Sequence, residues 1–332
     1  MLPAGSTSKE PVISLDEVRV YFTKKKLIGP ASVVKAVDEV TLEIGKGEIV
    51  GLVGESGSGK TTLGRAAIGL QHITSGKILF SNGSSSLDVS IARGKKWREL
   101  RKYLQIIFQD PFSSIDPNMR VFDALRMPLQ AQGIKSKEEI ERRINGVITE
   151  VGLPADILWS YVFQLSGGQR QRVSIARVLL FSPAFVVADE AVSMLDASLK
   201  GDILNIIRKI ADNFGVGFLF ITHEMAVAKV ISDRIAVMYL GNIVELGRSN
   251  EIVAKPLHPY TQAMLQASPT IDPSLRETIR VVNIKGEIPL SGAHPPGCKF
   301  HPRCPFAMEK CKENMPLLKE VENGRYVSCW LY

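Results

Sequence analysis

The N-terminal part of the chain alternates apolar and polar residues in the manner of β-strands. The segments VISLDEVRVYF and AVDEVTLEI carry this pattern, and in the second one Val40, Leu42 and Ile44 fall on one face of the predicted strand. The next segment, GEIVGLVG, is a short continuous apolar run, which is typical of a buried parallel strand. It leads into ESGSGKTTLGRAAIGL, which is predicted to become helical after its glycines.

The remaining patterns predict a helical insertion and a return to strands. SKEEIERRINGVITEVGL is amphipathic, and a second helix is predicted after LSGGQ. AFVVADE and GFLFITHE flank an amphipathic helix, while RIAVMYLGNIVELG indicates a hairpin at Gly241 and Asn242. Composition shifts toward Pro, Lys and Cys after residue 248. We predict an α/β fold: one unit over residues 11–249 with a helical subdomain inserted at about 110–181, and a C-terminal accessory module over 250–332.

Composition narrows the class of protein. The chain has 332 residues, of which 45% are hydrophobic and 23% charged, as expected for a globular protein. No stretch approaches the roughly 20 apolar residues of a membrane span, and MLPAGSTSKEP lacks the features of an export signal, so we expect a cytoplasmic protein. The net charge of +7 would suit a phosphate-bearing partner, but the basic residues are scattered and aromatics are only 7%, which favours a solvated basic surface.

One motif predicts a phosphate site. GESGSGKT, residues 54–61, fits the spacing G-x-x-x-x-G-K-[ST] between a predicted strand and a predicted helix. Its glycines allow successive N–H groups to face phosphates, and the helix N-terminus adds positive potential. We expect Lys60 to neutralise phosphate charge and the Thr61 hydroxyl to bind Mg²⁺.

Carboxylates at the end of a neighbouring strand complete this prediction. Asp189 follows the apolar run FVVA, so it should lie at the carboxyl edge of the sheet and orient Mg²⁺. Glu190 points the other way along an extended chain and can face attacking water. His223 ends the next predicted strand; alone it would be an ordinary surface histidine.

Together these residues resemble the nucleotide-binding subunit of an ATP-binding cassette (ABC) transporter. The resemblance covers about residues 12–248, and its most specific motif is LSGGQRQRV, residues 165–173. The family has a P-loop fold with a mixed sheet, an antiparallel β-subdomain and an inserted helical subdomain. The resemblance implies that two subunits meet head to tail, so that each ATP lies between the P-loop of one and the LSGGQ segment of the other.

The resemblance also assigns roles by position. It implies that Glu190 is the general base, that His223 contacts the γ-phosphate, and that Gln109 contacts Mg²⁺ and water. Phe22, or else Tyr21, matches the aromatic residue that stacks on adenine. The further positions assigned to nucleotide are Gly54, Glu55, Ser56, Gly57, Ser58, Gly59, Lys60, Thr61 and Thr62 in the phosphate loop, Asp189 at the strand end, Leu165, Ser166, Gly167, Gly168 and Gln169 in the signature, and Asp196 in the D-loop SMLD.

Two segments point to the oligopeptide/dipeptide uptake branch of the family. FQDPFSSIDPNMRV resembles the Q-loop segment that receives a coupling helix from a membrane subunit, and MRVFDALRMPL supplies apolar side chains for docking. PLHPYTQAML and GCKFHPRCPFAMEKC resemble the tail of the same branch. The sequence DEAVSMLD departs from the family's usual Pro-Thr after the glutamate and Ala in the D-loop, which favours an asymmetric heterodimer over a homodimer.

The tail holds all four cysteines, spaced C-x5-C-x6-C-x17-C at Cys298, Cys304, Cys311 and Cys329. A reducing cytoplasm favours metal binding over disulfides. Zn²⁺ sites usually have closer cysteine pairs, and the resemblance implies a [4Fe-4S] cluster, so we expect iron–sulfur, with Zn²⁺ as the alternative. His294 and His301 are further candidate ligands.

The resulting hypothesis is a peripheral ATPase on the cytoplasmic face of the membrane that powers import of di- or oligopeptides, nickel or oligosaccharides. Its expected partners are a second ATPase subunit, two polytopic permease subunits and, indirectly, an extracellular substrate-binding protein. The alternative is a soluble ABC-type ATPase that acts on nucleic acid in repair or translation. A single P-loop and the transporter-like Q-loop segment argue against it.

Overall fold

Two β-sheets form the framework of the chain. The computed structural model describes residues 9–24, 32–83, 86–110, 115–267, 284 and 295–332. Its strands are β1 (Pro11–Lys24), β2 (Ser32–Gly45), β3 (Ile49–Val53), β4 (Ser75–Ser81), β5 (Ser86–Asp88), β6 (Leu104–Ile107), β7 (Phe185–Asp189), β8 (Gly217–Thr222), β9 (Arg234–Tyr239), β10 (Asn242–Arg248), β11 (Lys319–Glu322) and β12 (Arg325–Val327).

Helices cover these sheets and form the insertion. They are α1 (Lys60–Ala67), α2 (Gly94–Tyr103), α3 (Val121–Ala131), α4 (Lys137–Glu150), α5 (Gly167–Leu179), α6 (Ala197–Phe214), α7 (Met225–Ile231), α8 (Ser249–Ala254), α9 (Pro259–Ala267) and α10 (Glu309–Glu313). None of the helices in the described ranges is both long enough and apolar enough to cross a membrane.

The smaller sheet is antiparallel, in the order β2-β1-β4-β5. Val40, Leu42 and Ile44 are all buried, which confirms that they share the inward face of β2. They join one hydrophobic cluster with Leu63 of α1 and Leu52 of β3, so the core lies between the small sheet, α1 and the large sheet.

The large sheet is mixed, in the order β11-β12-β10-β9-β3-β8-β7-β6. Strands β9, β3, β8, β7 and β6 are parallel to one another, and β3, β7 and β8 are buried along their whole length. Continuous apolar runs predict this burial on both faces. Because parallel strands end at one edge, the residues that follow β3, β6, β7 and β8 are brought together there.

The C-terminal strands extend this sheet across the expected boundary at residue 250. β9 and β10 form the predicted hairpin, with the turn at Leu240 and Gly241, one residue earlier than expected. β12 then pairs antiparallel with β10, and β11 with β12. The buried Arg325 also contacts the buried Glu245 at 3.2 Å. The C-terminal region thus contributes the last two strands of the large sheet.

The helical segment agrees in part with the predicted pattern. Ile140, Ile144 and Ile148 form the buried face of the amphipathic helix α4, as predicted. The next predicted helix begins inside LSGGQ, at Gly167. The expectation that VFDALRMPL presents its apolar side chains for docking is largely wrong: most of them face the core in α3, while Met127 is 55% exposed.

Candidate active site

The loop between β3 and α1 closes around a lysine side chain. Lys60 is 5% exposed, and its Nζ donates to the carbonyl oxygens of Gly54 at 2.7 Å and Glu55 at 2.8 Å. Gly59 is the N-cap of α1 with φ of 103°, and a Cβ there would lie 2.0 Å from the carbonyl oxygen of Ala36, so only glycine fits. Burial lowers the pKa of Lys60, and nearby carboxylates oppose that shift. The ammonium is therefore held at the site where phosphates are predicted to bind.

A hydroxyl and a carboxylate lie together beside this loop. The Thr61 hydroxyl donates to Oδ1 of Asp189 at 3.0 Å. Burial raises the pKa of Asp189, and the bond from Thr61 opposes the shift. These oxygens suit Mg²⁺, a hard cation that prefers oxygen ligands. Of the other loop residues, Ser56 and Gly57 are exposed, Ser58 is buried, and Thr62 is half-buried in α1.

Three side chains that follow three different strands meet at Glu190, the residue after Asp189. Gln109 follows β6, and its Nε2 donates to Oε2 of Glu190 at 2.9 Å. His223 follows β8, and its Nδ1 lies 3.4 Å from Oε1 of the same carboxylate. The structure therefore brings together three of the predicted catalytic residues within one chain.

Glu190 has an unusual backbone conformation. Its φ is 49°, in the left-handed region that few residues other than glycine adopt. Its N–H donates to the carbonyl oxygen of Ile221 at 3.0 Å, and its own carbonyl accepts from the Ser193 hydroxyl at 2.9 Å. Ala191 and Val192, which follow it, are buried. The surrounding structure thus fixes the carboxylate at the sheet edge.

The two candidate adenine-stacking residues differ in exposure. The Tyr21 hydroxyl donates to Asp38, and a Lys35 ammonium lies 5.3 Å from the centre of its ring. Phe22 is 40% exposed, whereas Tyr21 is half-buried.

The signature segment forms a capped helix N-terminus. The Ser166 hydroxyl accepts from the N–H of Gln169 at 3.3 Å, and the Gln169 side chain accepts from the N–H of Ser166 at 3.0 Å. Leu165 and Gly168 are buried, whereas Ser166 and Gly167 are exposed. Asp196, the last D-loop residue, is the exposed N-cap of α6.

A cavity of about 700 Å³ opens beside Glu190 and His223. The other described residues that line it belong to the phosphate loop, to the start of α7 with Glu224 before it, and to α9, together with Ile284; none belongs to the signature segment. One chain thus gathers the phosphate loop and the carboxylate but not the LSGGQ segment.

The C-terminal region contacts the phosphate loop, which the sequence did not predict. The Tyr260 hydroxyl accepts from the N–H of Glu55 at 2.9 Å, and Arg303 donates to the Glu55 carboxylate at 2.9 Å. Lys299 donates to Asp38, the partner of Tyr21, at 3.0 Å. These pairs are more than 200 positions apart in the chain, so no local pattern signals them.

An exposed aromatic surface on the helical segment was also missed. Trp159, Tyr161 and Phe163 are 63%, 38% and 54% exposed. Trp159 stacks on Phe122 of α3, and the Arg120 guanidinium lies 5.6 Å from the Tyr161 ring centre. We call these five residues the aromatic surface. Its Arg120 belongs to residues 108–121, the segment predicted to receive a coupling helix. Residues 111–114 of that segment lie outside the described residues.

The expected four-cysteine cluster is not supported as a formed ligand set. Cys298, Cys304, Cys311 and Cys329 are free thiols, and the charges of the other three contribute to raising the pKa of Cys329. Burial raises the pKa of Cys298 and of Cys329 to about 11. Nevertheless, within the described residues no three His, Cys, Asp or Glu side chains form a group that could hold a metal ion. His301 bonds the Cys298 carbonyl, and His294 lies outside the described residues.

Two family models match the chain. The model described as "ABC transporter" matches residues 37–193, and the one described as "Oligopeptide/dipeptide transporter, C-terminal region" matches residues 244–311. The second match covers the region that contacts the phosphate loop.

Similar proteins agree with these matches. The oligopeptide transport ATP-binding protein OppF of Salmonella typhimurium is 38% identical over 326 residues, 97% of this chain and 96% of that protein. AppF of Bacillus subtilis, of the same description, is 37% identical over 98% of this chain and 99% of that protein.

The ATP-binding cassette MJ0796, solved as a dimer with ADP and Pi, has a TM-score of 0.62 and 25% identity over 71% of this chain and 98% of its own. CbiO1 of Clostridium perfringens shares the fold. Its TM-score is 0.63 at 24% identity, over 74% of this chain and 92% of that protein. The chain therefore belongs to the ABC transporter family, as an ATP-hydrolysing cassette with the C-terminal region of the oligopeptide/dipeptide branch.

Proposed function

We propose that this chain powers the import of di- or oligopeptides, or of related solutes such as oligosaccharides, by hydrolysing ATP with Glu190 as the general base. The observation that carries the site assignment is the pair of contacts from Gln109 and His223 to the two carboxylate oxygens of Glu190. The peptide assignment rests on the similarity to the oligopeptide transport proteins OppF and AppF. In this proposal residues 11–249 are the ATPase unit, with the helical subdomain at about 110–181, and residues 250–332 are an accessory region.

The proposed chemistry is positioning and charge stabilisation. Lys60 exchanges its carbonyl partners for phosphate oxygens, and the N–H groups of the loop bind the same anion. Thr61, Asp189 and Gln109 would hold Mg²⁺, which supplies charge neutralisation of the phosphates when bound. Glu190 accepts a proton from the attacking water. Phe22 stacks on adenine.

The signature segment of a companion cassette would complete each site. Ser166 and Gly167 are exposed at the N-terminus of the 13-residue helix α5, where N–H groups and the helix dipole favour an anion. Leu165, Gly168 and Gln169 support that helix start, and Asp196 lies at the proposed interface. Met194, 63% exposed in the D-loop, adds an apolar side chain to this surface. The departures at Ala191, Val192 and Met194 support pairing with a different cassette.

The aromatic surface supports docking of permease subunits on the cytoplasmic face of the membrane. Exposed aromatic groups that stack on each other are typical of protein interfaces. In this proposal two polytopic subunits bind the chain directly, and an extracellular binding protein acts through them.

Co-purification tests this function against the nucleic-acid alternative. We expect the tagged chain, extracted with detergent, to retain polytopic membrane subunits and to show ATPase activity that responds to peptide. Tight, salt-sensitive DNA or RNA binding without membrane subunits would support the alternative instead.

We propose that the four cysteines bind a [4Fe-4S] cluster, or Zn²⁺, after rearrangement of their thiols. Four free thiols that interact with one another support this, because thiolates are the ligands of such clusters. Iron, sulfide and zinc analysis of anaerobically purified protein tests it. Protein with none of the three would refute the proposal, and zinc alone would refute the cluster.

A further inference from the structure

The C-terminal region holds one residue of the phosphate loop at two points. The Tyr260 hydroxyl accepts from the Glu55 N–H at 2.9 Å. The Arg303 guanidinium donates to Oε2 of Glu55 at 2.9 Å and to Oε1 at 3.3 Å. Two parallel bonds between a guanidinium and a carboxylate fix the direction of both groups.

The carboxylate of Glu55 lies close to groups of the proposed phosphate site. The backbone carbonyl oxygen of Glu55 accepts from Nζ of Lys60 at 2.8 Å, and the negative charge of the Glu55 carboxylate favours the charged form of Lys60. Glu55 also lines the cavity beside Glu190 and His223. A triphosphate at this loop would be repelled by an unpaired carboxylate, since like charges disfavour one another at close range.

The arginine that pairs with Glu55 is itself held firmly. Arg303 is 7% exposed, and its guanidinium lies 5.8 Å from the ring centre of Tyr239 and 6.0 Å from that of Phe300. Tyr239 and Tyr260 also pack together, with ring centres 4.7 Å apart. Tyr239 ends β9, the neighbour of β3, so the rings connect the C-terminal region to the strand that carries the loop.

We propose that Arg303 is a positioning residue for the nucleotide: it neutralises and orients Glu55, so that the phosphate loop can bind ATP. This inference rests on the proposed assignment of residues 54–61 as the phosphate site. Arg303 acts through Glu55 and has no chemical role in hydrolysis.

A double-mutant cycle of Arg303 and Glu55 in the full-length chain tests the proposal. The measurement is the Kd of the non-hydrolysable analogue AMP-PNP with Mg²⁺, by calorimetry. Arg303→Gln leaves Glu55 unopposed, and we expect binding about tenfold weaker. Glu55→Gln combined with Arg303→Gln should bind several-fold more tightly than Arg303→Gln alone, because the repelling charge is gone. Arg303→Lys keeps the charge and should lose less than Arg303→Gln.

The controls separate this inference from the site assignment. Lys312→Gln removes an exposed charge from the same region and should not change binding. Lys60→Ala should abolish it; if it does not, the phosphate site and this inference both fail. If Lys60→Ala behaves as expected but Arg303→Gln binds within about twofold of the parent, the inference alone is overturned. A double variant as weak as Arg303→Gln would also overturn it, since loss of fold, unlike repulsion, is not rescued by removing a charge.

Discussion

The side-chain amide of Gln109 donates to Oε2 of Glu190 at 2.9 Å, across 81 positions of the chain. The bond joins the ends of β6 and β7, which are adjacent parallel strands. Parallel pairing therefore brings an exposed glutamine to a carboxylate held in a left-handed backbone conformation. The proposed base is oriented within one chain before a partner arrives.

Gln109→Ala should lower ATP turnover about tenfold and weaken the binding of AMP-PNP by a smaller factor. The amide orients Glu190 but makes no contact with Lys60 or Thr61, and positioning groups contribute to the rate more than to ground-state binding. Steady-state ATPase assays of the membrane complex measure this. Gln105→Ala is the matched control, because that glutamine on the same strand bonds the Arg101 carbonyl. Equal effects of the two substitutions would contradict the assignment.

Trp159→Ala combined with Phe163→Ala should reduce the membrane subunits that co-purify with the chain at least tenfold, because exposed aromatic anchors contribute much of an interface's binding energy. AMP-PNP affinity should not change. Phe214→Ala removes an aromatic side chain of similar exposure, 52%, at the end of α6 and serves as the control. Unchanged recovery of membrane subunits with the double variant would show that the aromatic surface is not the docking site.

Folding stability should fall in mild acid because of one buried histidine. Burial lowers the pKa of His258 to about 3, and its Nδ1 accepts from the N–H of Tyr260 at 3.0 Å. Between the unfolded pKa of about 6.5 and the folded value, only the unfolded chain binds this proton, so stability present above pH 6.5 is lost as the pH falls.

His258→Asn removes this titration and keeps an acceptor for the Tyr260 N–H. Between pH 6.5 and 5 we expect the parent to lose about 1.6 kcal/mol more unfolding free energy than the variant. Urea unfolding at each pH measures the difference. If both proteins show the same pH dependence, His258 does not titrate as stated.

Much of the fold was predictable from the local sequence pattern. The alternation of Val40, Leu42 and Ile44 specified the buried face of β2, and the continuous run before Gly54 specified a parallel strand, because burial on one or two faces leaves distinct patterns. The meeting of Asp189 with Thr61 also followed from the rule that parallel strands end at one edge.

Long-range features were not predictable in this way. The pairing of β12 with β10 and the bonds from Tyr260 and Arg303 to Glu55 depend on tertiary packing between distant segments. Apolar residues of α3 were misassigned to a surface because composition alone does not tell which side of a helix meets the core. The exposure of Trp159 likewise had no sequence signal.

The most direct test of the central claim is the ATP turnover of Glu190→Gln in the complete membrane complex. The amide keeps the size of the side chain and its contact with Gln109, but it cannot accept the proton of water. We expect turnover to fall at least about a hundredfold, as for loss of a general base, while ATP remains bound. Turnover at the parental rate would contradict the account.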